Sequence, residues 1–284
     1  MTIVVFGATG NFGNRFITEI LKEGLEKSEI RATGRQNKKL EEFSANGIEA
    51  VFVDYSRRDT VKSALDGADT VFLISGSNLA HRREQHALVV GEARRAGVQR
   101  IAYTSMLNAQ KHRAILSPDH KATEDLIVES GMDYIFFRNG WYTENMLPLV
   151  VGAKKTGEII GNAGKGRVAG APRSDYAEAA ARVMAQSTGK RVYEFGGQPS
   201  WDLAGLAVAA SEVLGFPVQY RDVKPEDHLE FLISTGQSRT AQFQTSMDMD
   251  IRNGRLDTPS RDLEDVLGRK STSLQEVIRA SDLI

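Results

Sequence analysis

The chain has no cysteine among its 284 residues. That excludes disulfides, thiolate metal sites and a thiol nucleophile, and it fits a reducing compartment. An excess of one charge is also missing. The 36 Lys and Arg are matched by 37 Asp and Glu, for a formal net charge of −1, which leaves no electrostatic footprint for nucleic acid or an anionic membrane surface. No apolar run approaches the ~18 residues of a spanning helix. Met1 to Phe6 run straight into Gly7 without the basic and apolar regions of a signal peptide. Metal pairs are lacking too: His81 and His86 lie five apart and do not share a helical face as an i, i+4 pair would. Arg82 and Arg83 between them read as solvated loop charges. These absences predict a cytoplasmic protein that meets a small molecule, with no nucleic acid, no membrane and no metal. A homodimer stays open.

What is present is an alternation. Hydrophobic residues make up 41% and charged residues 26%, an ordinary balance for a globular chain. Ile3 to Phe6 is a short continuous apolar run, suited to a strand buried on both faces. A glycine loop follows, then Phe12 to Lys22 with Phe12, Phe16, Ile17, Ile20 and Leu21 at helical spacing. Strands are predicted at 29–33, 49–53, 70–75, 100–104 and 134–137. Helices are predicted at 40–45, 60–65, 84–96 and 120–130. Strands alternating with helices of this length argue for βαβ units and a Rossmann-type, doubly wound parallel sheet of the α/β class. Beyond Arg138 the pattern loosens. The glycine-rich stretch 152–171 reads as loop and short strand, 174–185 as a helix, 191–195 as a late strand returning to the sheet, and 218–220 as a strand candidate. The expected organisation is a nucleotide-binding domain over 1–152, rejoined by 170–198. A smaller α/β lobe of 153–169 and 199–284 packs over the sheet's carboxyl edge.

The glycine loop is the most informative segment. Gly7-Ala8-Thr9-Gly10-Asn11-Phe12-Gly13 fits Gly-x-x-Gly-x-x-Gly between a strand and an amphipathic helix, the setting that gives such a motif meaning. Glycines there permit a tight turn and close approach of backbone to a pyrophosphate, and the helix N-terminus adds N–H donors and partial positive charge. Cofactor choice is read after the second strand. An acid there would hold the 2′-hydroxyl of NAD, whereas Gly34-Arg35-Gln36-Asn37-Lys38-Lys39 offers three cations and no acid. Arg35 can grip a 2′-phosphate bidentately, with Lys38 or Lys39 adding point charge. NADPH is therefore the expected cofactor. Asp54 and Tyr55, then Ser75, Gly76 and Ser77, then Tyr103, Thr104 and Ser105 are read at the ends of three further strands, where ligands of open α/β sheets bind. For Ser75 and Ser105 a turn hydroxyl satisfied within the protein is the competing reading.

The glycine loop, the Ile101-Ala102-Tyr103-Thr104-Ser105 strand and the block Arg138-Asn139-Gly140-Trp141-Tyr142-Thr143-Glu144-Asn145 resemble the atypical short-chain dehydrogenase/reductases of the NmrA-like group. The branch most resembled is that of bacterial NADPH:quinone oxidoreductases of type 2. The resemblance covers nearly the whole chain, and the Arg-Asn-Gly-Trp-Tyr block is its most specific part. It implies a Rossmann domain, a small carboxyl-terminal lobe with a cleft between them, NADPH, and no flavin. It also exposes a departure. The superfamily's Tyr-x-x-x-Lys pair falls on Leu116 and His120, so the usual tyrosine acid is missing; Tyr220 and Lys224 repeat the spacing by chance in the second lobe. Carbonyl–alcohol interconversion by the usual route falls away, whereas a quinone accepts hydride without prior protonation. The resemblance points to Asn139, Trp141, Tyr142 and His120 as the catalytic neighbourhood. Trp141 or Tyr142 would stack on a planar acceptor, or Trp141 would instead anchor its loop in the core. His120 would take over the ribose contact of the missing lysine, relay a proton, or simply sit near a helix N-cap. The expected activity is hydride transfer from NADPH to a quinone-like acceptor. The alternatives are an NADP(H)-sensing regulator of the NmrA kind and a reductase of triphenylmethane or azo-type dyes.

Overall fold

The computed structural model describes residues 1–111, 114–186, 190–258 and 260–281. In chain order the elements are β1 (Ile3–Phe6), α1 (Asn11–Lys22), β2 (Ile30–Gly34), α2 (Asn37–Ala45), β3 (Glu49–Phe52), α3 (Arg58–Ala64), β4 (Thr70–Leu73), α4 (Arg82–Arg95), β5 (Arg100–Met106), α5 (Ser117–Glu129), β6 (Asp133–Asn139), α6 (Leu147–Thr156), β7 (Glu158–Gly161), α7 (Arg173–Gln186), β8 (Val192–Phe195), α8 (Leu203–Leu214), β9 (Gln219–Asp222), α9 (Pro225–Ser234), α10 (Ser238–Arg252), α11 (Asp262–Leu267) and α12 (Leu274–Arg279). Among the described residues no helix is long and apolar enough to cross a membrane.

The chain forms two compact units. The first holds Met1–Gln110, Pro118–Asn139 and Arg173–Glu194; the second holds Lys111–Ser117, Gly140–Pro172 and Phe195–Ile284. The first unit is the doubly wound sheet, in the order β3-β2-β1-β4-β5-β6-β8. Pairing is parallel from β3 across to β6. The order reverses between β1 and β4, which makes their carboxyl ends the switch point where this architecture takes its ligands. One face of the sheet packs Val4, Phe6, Val71, Leu73, Ile101 and Tyr103 against Val61, Val89 and Ala93. On the other, the Phe72 ring lies 4.3 Å from that of Phe16 and 5.8 Å from that of Phe137. Helix α7 brings Ala177, Ala179, Ala180 and Ala181 inside, and it packs on α1; alanines let two helices approach closely.

The second unit pairs β7 with β9, in parallel, from Glu158 opposite Gln219 to Gly161 opposite Asp222. Its core gathers Leu147, Val150, Ile159, Leu203, Leu206, Ile251 and Ile278. Two corrections to the sequence reading fall here. The stretch from 152 is not loop at its start: α6 runs to Thr156 and stops at Gly157, which adopts φ +71°. Val150 and Ala153 supply its buried face, a periodicity that the surrounding glycines obscured. The strand read at 218–220 begins one residue later and continues to Asp222.

Buried polar groups concentrate around Asn162. Its backbone N–H donates to Asp248 Oδ2 (2.8 Å) and its side-chain amide to the Thr245 carbonyl (3.2 Å). Its Oδ1 meets Nδ1 of His228. Burial pushes the Asp248 carboxyl up to about 6. Tyr220, half of the chance Tyr-x-x-x-Lys, is engaged with Asp222 (3.1 Å) and the Gly164 N–H (3.1 Å).

Candidate active site

The turn between β1 and α1 is built so that backbone can come very near backbone. Gly7 adopts φ +89°, a conformation that L side chains rarely take. A Cβ on Gly13 would stand 2.7 Å from Ala8 Cα and overlap the Gly7 carbonyl. A Cβ on Gly10 would sit 3.2 Å from that same carbonyl oxygen. The Gly10 N–H donates to Gly7 O (3.0 Å), and the Ala8 N–H ties the turn to β2 through Thr33 O (2.8 Å). Gly10 is the N-cap of α1 and contributes no side-chain cap; the first helical turn carries no acid. A pyrophosphate fits such a turn, since nothing negative competes for the helix N-terminus. Thr9 is buried, Phe12 is buried beneath the turn, and Asn11 is exposed above it.

The neighbouring strand end completes the cradle. Gly34, the last residue of β2, packs so tightly on Thr9 that a Cβ there would run into the Thr9 side chain. Arg35 and Lys38 project exposed just beyond. Lys39 turns back, and its Nζ donates to the Thr9 carbonyl (2.9 Å); it braces the turn. Gly34 and Lys39 carry structural roles that the motif did not reveal. Asp54 accepts the Ser56 N–H through Oδ1 (2.9 Å). Tyr55 lays its ring 5.7 Å from Phe6. Among the described residues its hydroxyl is buried without a hydrogen-bond partner, 3.4 Å from where a Gly7 Cβ would stand.

The loop after β4 holds Ser75 and Gly76, half-buried, and Ser77, exposed. The Ser75 N–H donates to Thr104 Oγ1 (2.8 Å). Both sides of the Gly76 peptide are held: its N–H donates to His86 Nε2 (3.0 Å), and its carbonyl accepts from Arg82 Nε (2.8 Å). The sequence reading of Arg82 as a solvated loop charge is overturned. It begins α4 and is 6% exposed, because the carbonyl it serves lies inside. Arg83 pairs with Asp119 (2.6 Å). Burial and the nearby Arg82 guanidinium together lower His86 to about 3.

Strand β5 runs two residues further than the sequence suggested, to Met106, so Tyr103, Thr104 and Ser105 lie within it and all three are buried. Register with β6 carries the pairing on to Met106 opposite Asn139. Tyr103 is a core residue whose hydroxyl meets His120 Nδ1 at 2.8 Å. Ser105 Oγ donates to Glu124 Oε1 (2.6 Å), a satisfied hydroxyl within the strand rather than a turn. His120 itself is 5% exposed, which removes the reading of a surface histidine. Burial, then the Arg82 guanidinium and the neighbouring His86, hold its imidazole well below the usual histidine range. Asn139 ends β6, buried, and its carbonyl accepts the Leu107 N–H (3.0 Å).

Arg138, the first residue of the specific block, has a structural partner set that sequence alone did not expose. Its Nε and Nη2 grip Glu124 (2.9 and 2.7 Å) and its Nη1 grips Glu194 (2.7 Å). Glu124 is 1% exposed. The triad ties β6 to α5 and β8.

Trp141 and Tyr142 belong to the second unit. Trp141 is partly buried and packs against that unit's core. Tyr142 forms an isolated parallel bridge with Ala171.

The sequence profile of the NAD(P)H-binding family matches residues 7–187. Quinone oxidoreductase 2 of Escherichia coli strain K12 is 36% identical over 278 residues, covering 97% of each chain. The crystal structure of the NADPH-dependent quinone oxidoreductase of E. coli complexed with NADPH superposes with a TM-score of 0.92 at 35% identity, over 98% of this chain and 99% of that one. The triphenylmethane reductase of Citrobacter sp., complexed with NADP(H), superposes at 0.91 with 31% identity, over 98% and 99%. The chain belongs to the NAD(P)H-binding family, within the NmrA-like group of atypical short-chain dehydrogenase/reductases that includes the type 2 quinone oxidoreductases.

Proposed function

We propose that the protein is an NADPH-dependent reductase that delivers hydride to a quinone or a similar planar electrophile, without flavin. The observation that carries the substrate class is the likeness to quinone oxidoreductase 2 over 97% of both chains. The geometry supports the cofactor. The Gly7–Gly13 turn is open to a pyrophosphate, and Arg35 and Lys38 stand exposed beside it with no acid between them. Arg35 would take the 2′-phosphate, and Asp54 and Tyr55 the adenine side. Ser75, Gly76, Ser77, Thr104 and Ser105 would border the nicotinamide half.

NADPH supplies the hydride. The chain's part is to hold the reactants together and shield them from water. Nothing at Leu116 replaces the superfamily's tyrosine acid, so the hydroquinone takes its proton from water. We assign Trp141 and Tyr142 to stacking on the acceptor, and Asn139 and His120 to polar contacts with the reacting pair. The test mixes purified protein with NADPH and benzoquinone and follows the loss of reduced-nicotinamide absorbance, with a triphenylmethane dye as a second acceptor. Turnover with quinone in protein free of bound flavin is the expected result. Tight NADPH binding without oxidation by any of several quinones or dyes would refute it and favour nucleotide sensing.

A further inference from the structure

The loop after β4 starts beside the glycine turn. Ile74, the residue that follows the strand, has its Cβ 3.4 Å from where a Gly7 Cβ would stand, and the Tyr55 hydroxyl lies at the same distance. The Ile74 N–H donates to the Phe6 carbonyl (3.2 Å). Two residues later the chain passes through Gly76, the residue type with the widest choice of φ and ψ. Steric contact does not restrict it there. A Cβ on Gly76 would meet His86 Nε2 at 3.6 Å and Gln85 Oε1 at 3.8 Å, both ordinary contact distances. A loop with such a joint samples many shapes unless its backbone is held by hydrogen bonds.

The first residues of α4 supply those bonds. Peptide groups are planar, so a residue's two torsions are set once the planes on either side of its Cα are set. The plane before Gly76 carries the Gly76 N–H, which donates to His86 Nε2 (3.0 Å). The plane after it carries the Gly76 carbonyl, which accepts from Arg82 Nε (2.8 Å). Each partner suits its task. The N–H can only donate, so it needs a ring nitrogen without a hydrogen, and burial beside Arg82 keeps the His86 imidazole neutral. The carbonyl takes a charged donor, the stronger kind. Both anchors are themselves held. His86 is fully buried, with Nδ1 engaged by Thr123 Oγ1 (2.9 Å) on α5, and Arg82 is buried too. Gln85, between them, donates to Ser56 Oγ (3.0 Å), the residue after Tyr55. One helix turn thus fastens both loops that flank Gly7.

We infer that Arg82 and His86 are positioning residues for the cofactor: together they set φ and ψ of Gly76 and give the loop after β4 one shape against the nicotinamide half of NADPH. The inference rests on the proposal that Ser75 to Ser77 border that half, and not on the identity of the acceptor. Both side chains act through the Gly76 backbone. Their loss is therefore felt by any nucleotide that carries a nicotinamide, with or without a 2′-phosphate.

Titration of the whole protein with NADPH and with NADH, followed by reduced-nicotinamide fluorescence and with no acceptor present, tests this. Arg82→Met should weaken both nucleotides alike, by about tenfold, the scale of one lost hydrogen bond to a charged group. Arg82→Lys keeps a charged donor and should recover at least half of that loss on a logarithmic scale. His86→Phe removes the acceptor from the other side of Gly76 and should also cost both nucleotides about tenfold; it serves as the second variant if Arg82→Met does not fold. Because the two bonds act on one residue, the double variant should stay near tenfold and not reach the roughly hundredfold of independent sites. Circular dichroism confirms that each variant is folded at the temperature of titration. Unchanged affinity in folded variants, a loss confined to NADPH, independent losses in the double variant, or an Arg82→Lys no better than Arg82→Met would overturn the inference. A natural protein whose variants behave as expected, yet which reduces no quinone, would sink the reductase reading and leave this one standing.

Discussion

Arg138→Met is the most demanding test of how the first unit is held. The substitution keeps most of the side chain's length and removes the guanidinium. Arg138 makes three charged hydrogen bonds, two of them to Glu124. Glu194 is partly exposed and keeps the Asn108 N–H (2.8 Å). Among the described residues Glu124, 1% exposed, would retain only the uncharged Ser105 hydroxyl and Gln110 amide as donors. Breaking a buried pair by removing one partner costs ~3–5 kcal/mol, against ~0–1 kcal/mol for an exposed pair. At ~2–4 °C per kcal/mol, scaled from somewhat smaller domains, the melting temperature should fall by roughly 6–20 °C. The double variant Arg138→Met with Glu124→Gln removes the stranded charge and should regain about half or more of the loss, the signature of coupling in a double-mutant cycle. Thermal unfolding followed by circular dichroism measures the natural protein, Arg138→Met, Glu124→Gln and the double variant. A single variant that loses less than ~1 kcal/mol, or a double variant no better than the single, would show that Glu124 is served by solvent and refute the argument.

Three further outcomes follow from the geometry. Arg35→Ala should weaken NADPH binding by ~1.5–3 kcal/mol and leave NADH almost unchanged, because the contact proposed for it is to the 2′-phosphate; equal losses for both nucleotides in titration calorimetry would remove the assignment. Gly13→Ala should abolish binding of either nucleotide, since its methyl group would stand 2.7 Å from Ala8 Cα and displace the turn; unchanged affinity in a folded variant would contradict the cradle. Asp248, raised to about 6 from an ordinary 3.8, binds its proton more tightly when folded, so its contribution is fully present below about pH 4 and is lost as pH climbs to about 6. Asp248→Asn should therefore gain on the natural protein across that window, by on the order of 3 kcal/mol, and then level off; stability curves that stay parallel from pH 4 to 7 would refute the shift.

Much of this was legible in the residues. Val71-Phe72-Leu73 and Tyr134 to Phe137 announced themselves because a strand buried on both faces is apolar throughout. The turn at Gly7 to Gly13 was legible because its backbone constraints admit little else. Polar groups facing inward were not. Arg82 looked like a loop charge, since sequence records no carbonyl waiting for it, and the carbonyl of Gly76 is supplied by a loop six residues away. Glu124 and Glu194 became Arg138's partners only through α5 and β8 both meeting β6. Tyr103 to Ser105 seemed to end a strand because polarity rises there, but the ladder to β6 continues to Asn139 and the hydroxyls find partners inside. Helix α6 was hidden by the glycines around it. Periodicity reports where hydrophobic surface goes; it is silent on which buried polar atoms will meet.

The packing of Gly34 on Thr9 fixes the position next to the residue proposed to discriminate between cofactors. Position 34 has no latitude: any side chain would strike Thr9 and shift the turn that Thr9 belongs to. Position 35, one residue along, is exposed. The Arg35 side chain, proposed to discriminate between nucleotides, is thus mounted on a fixed pivot and is itself exposed. On the proposed assignment, exchange of Arg35 should alter selectivity without disturbing the turn at Gly7 to Gly13. The pivot beneath it is closed to substitution, so a change at position 35 leaves the turn proposed to hold the pyrophosphate as it is.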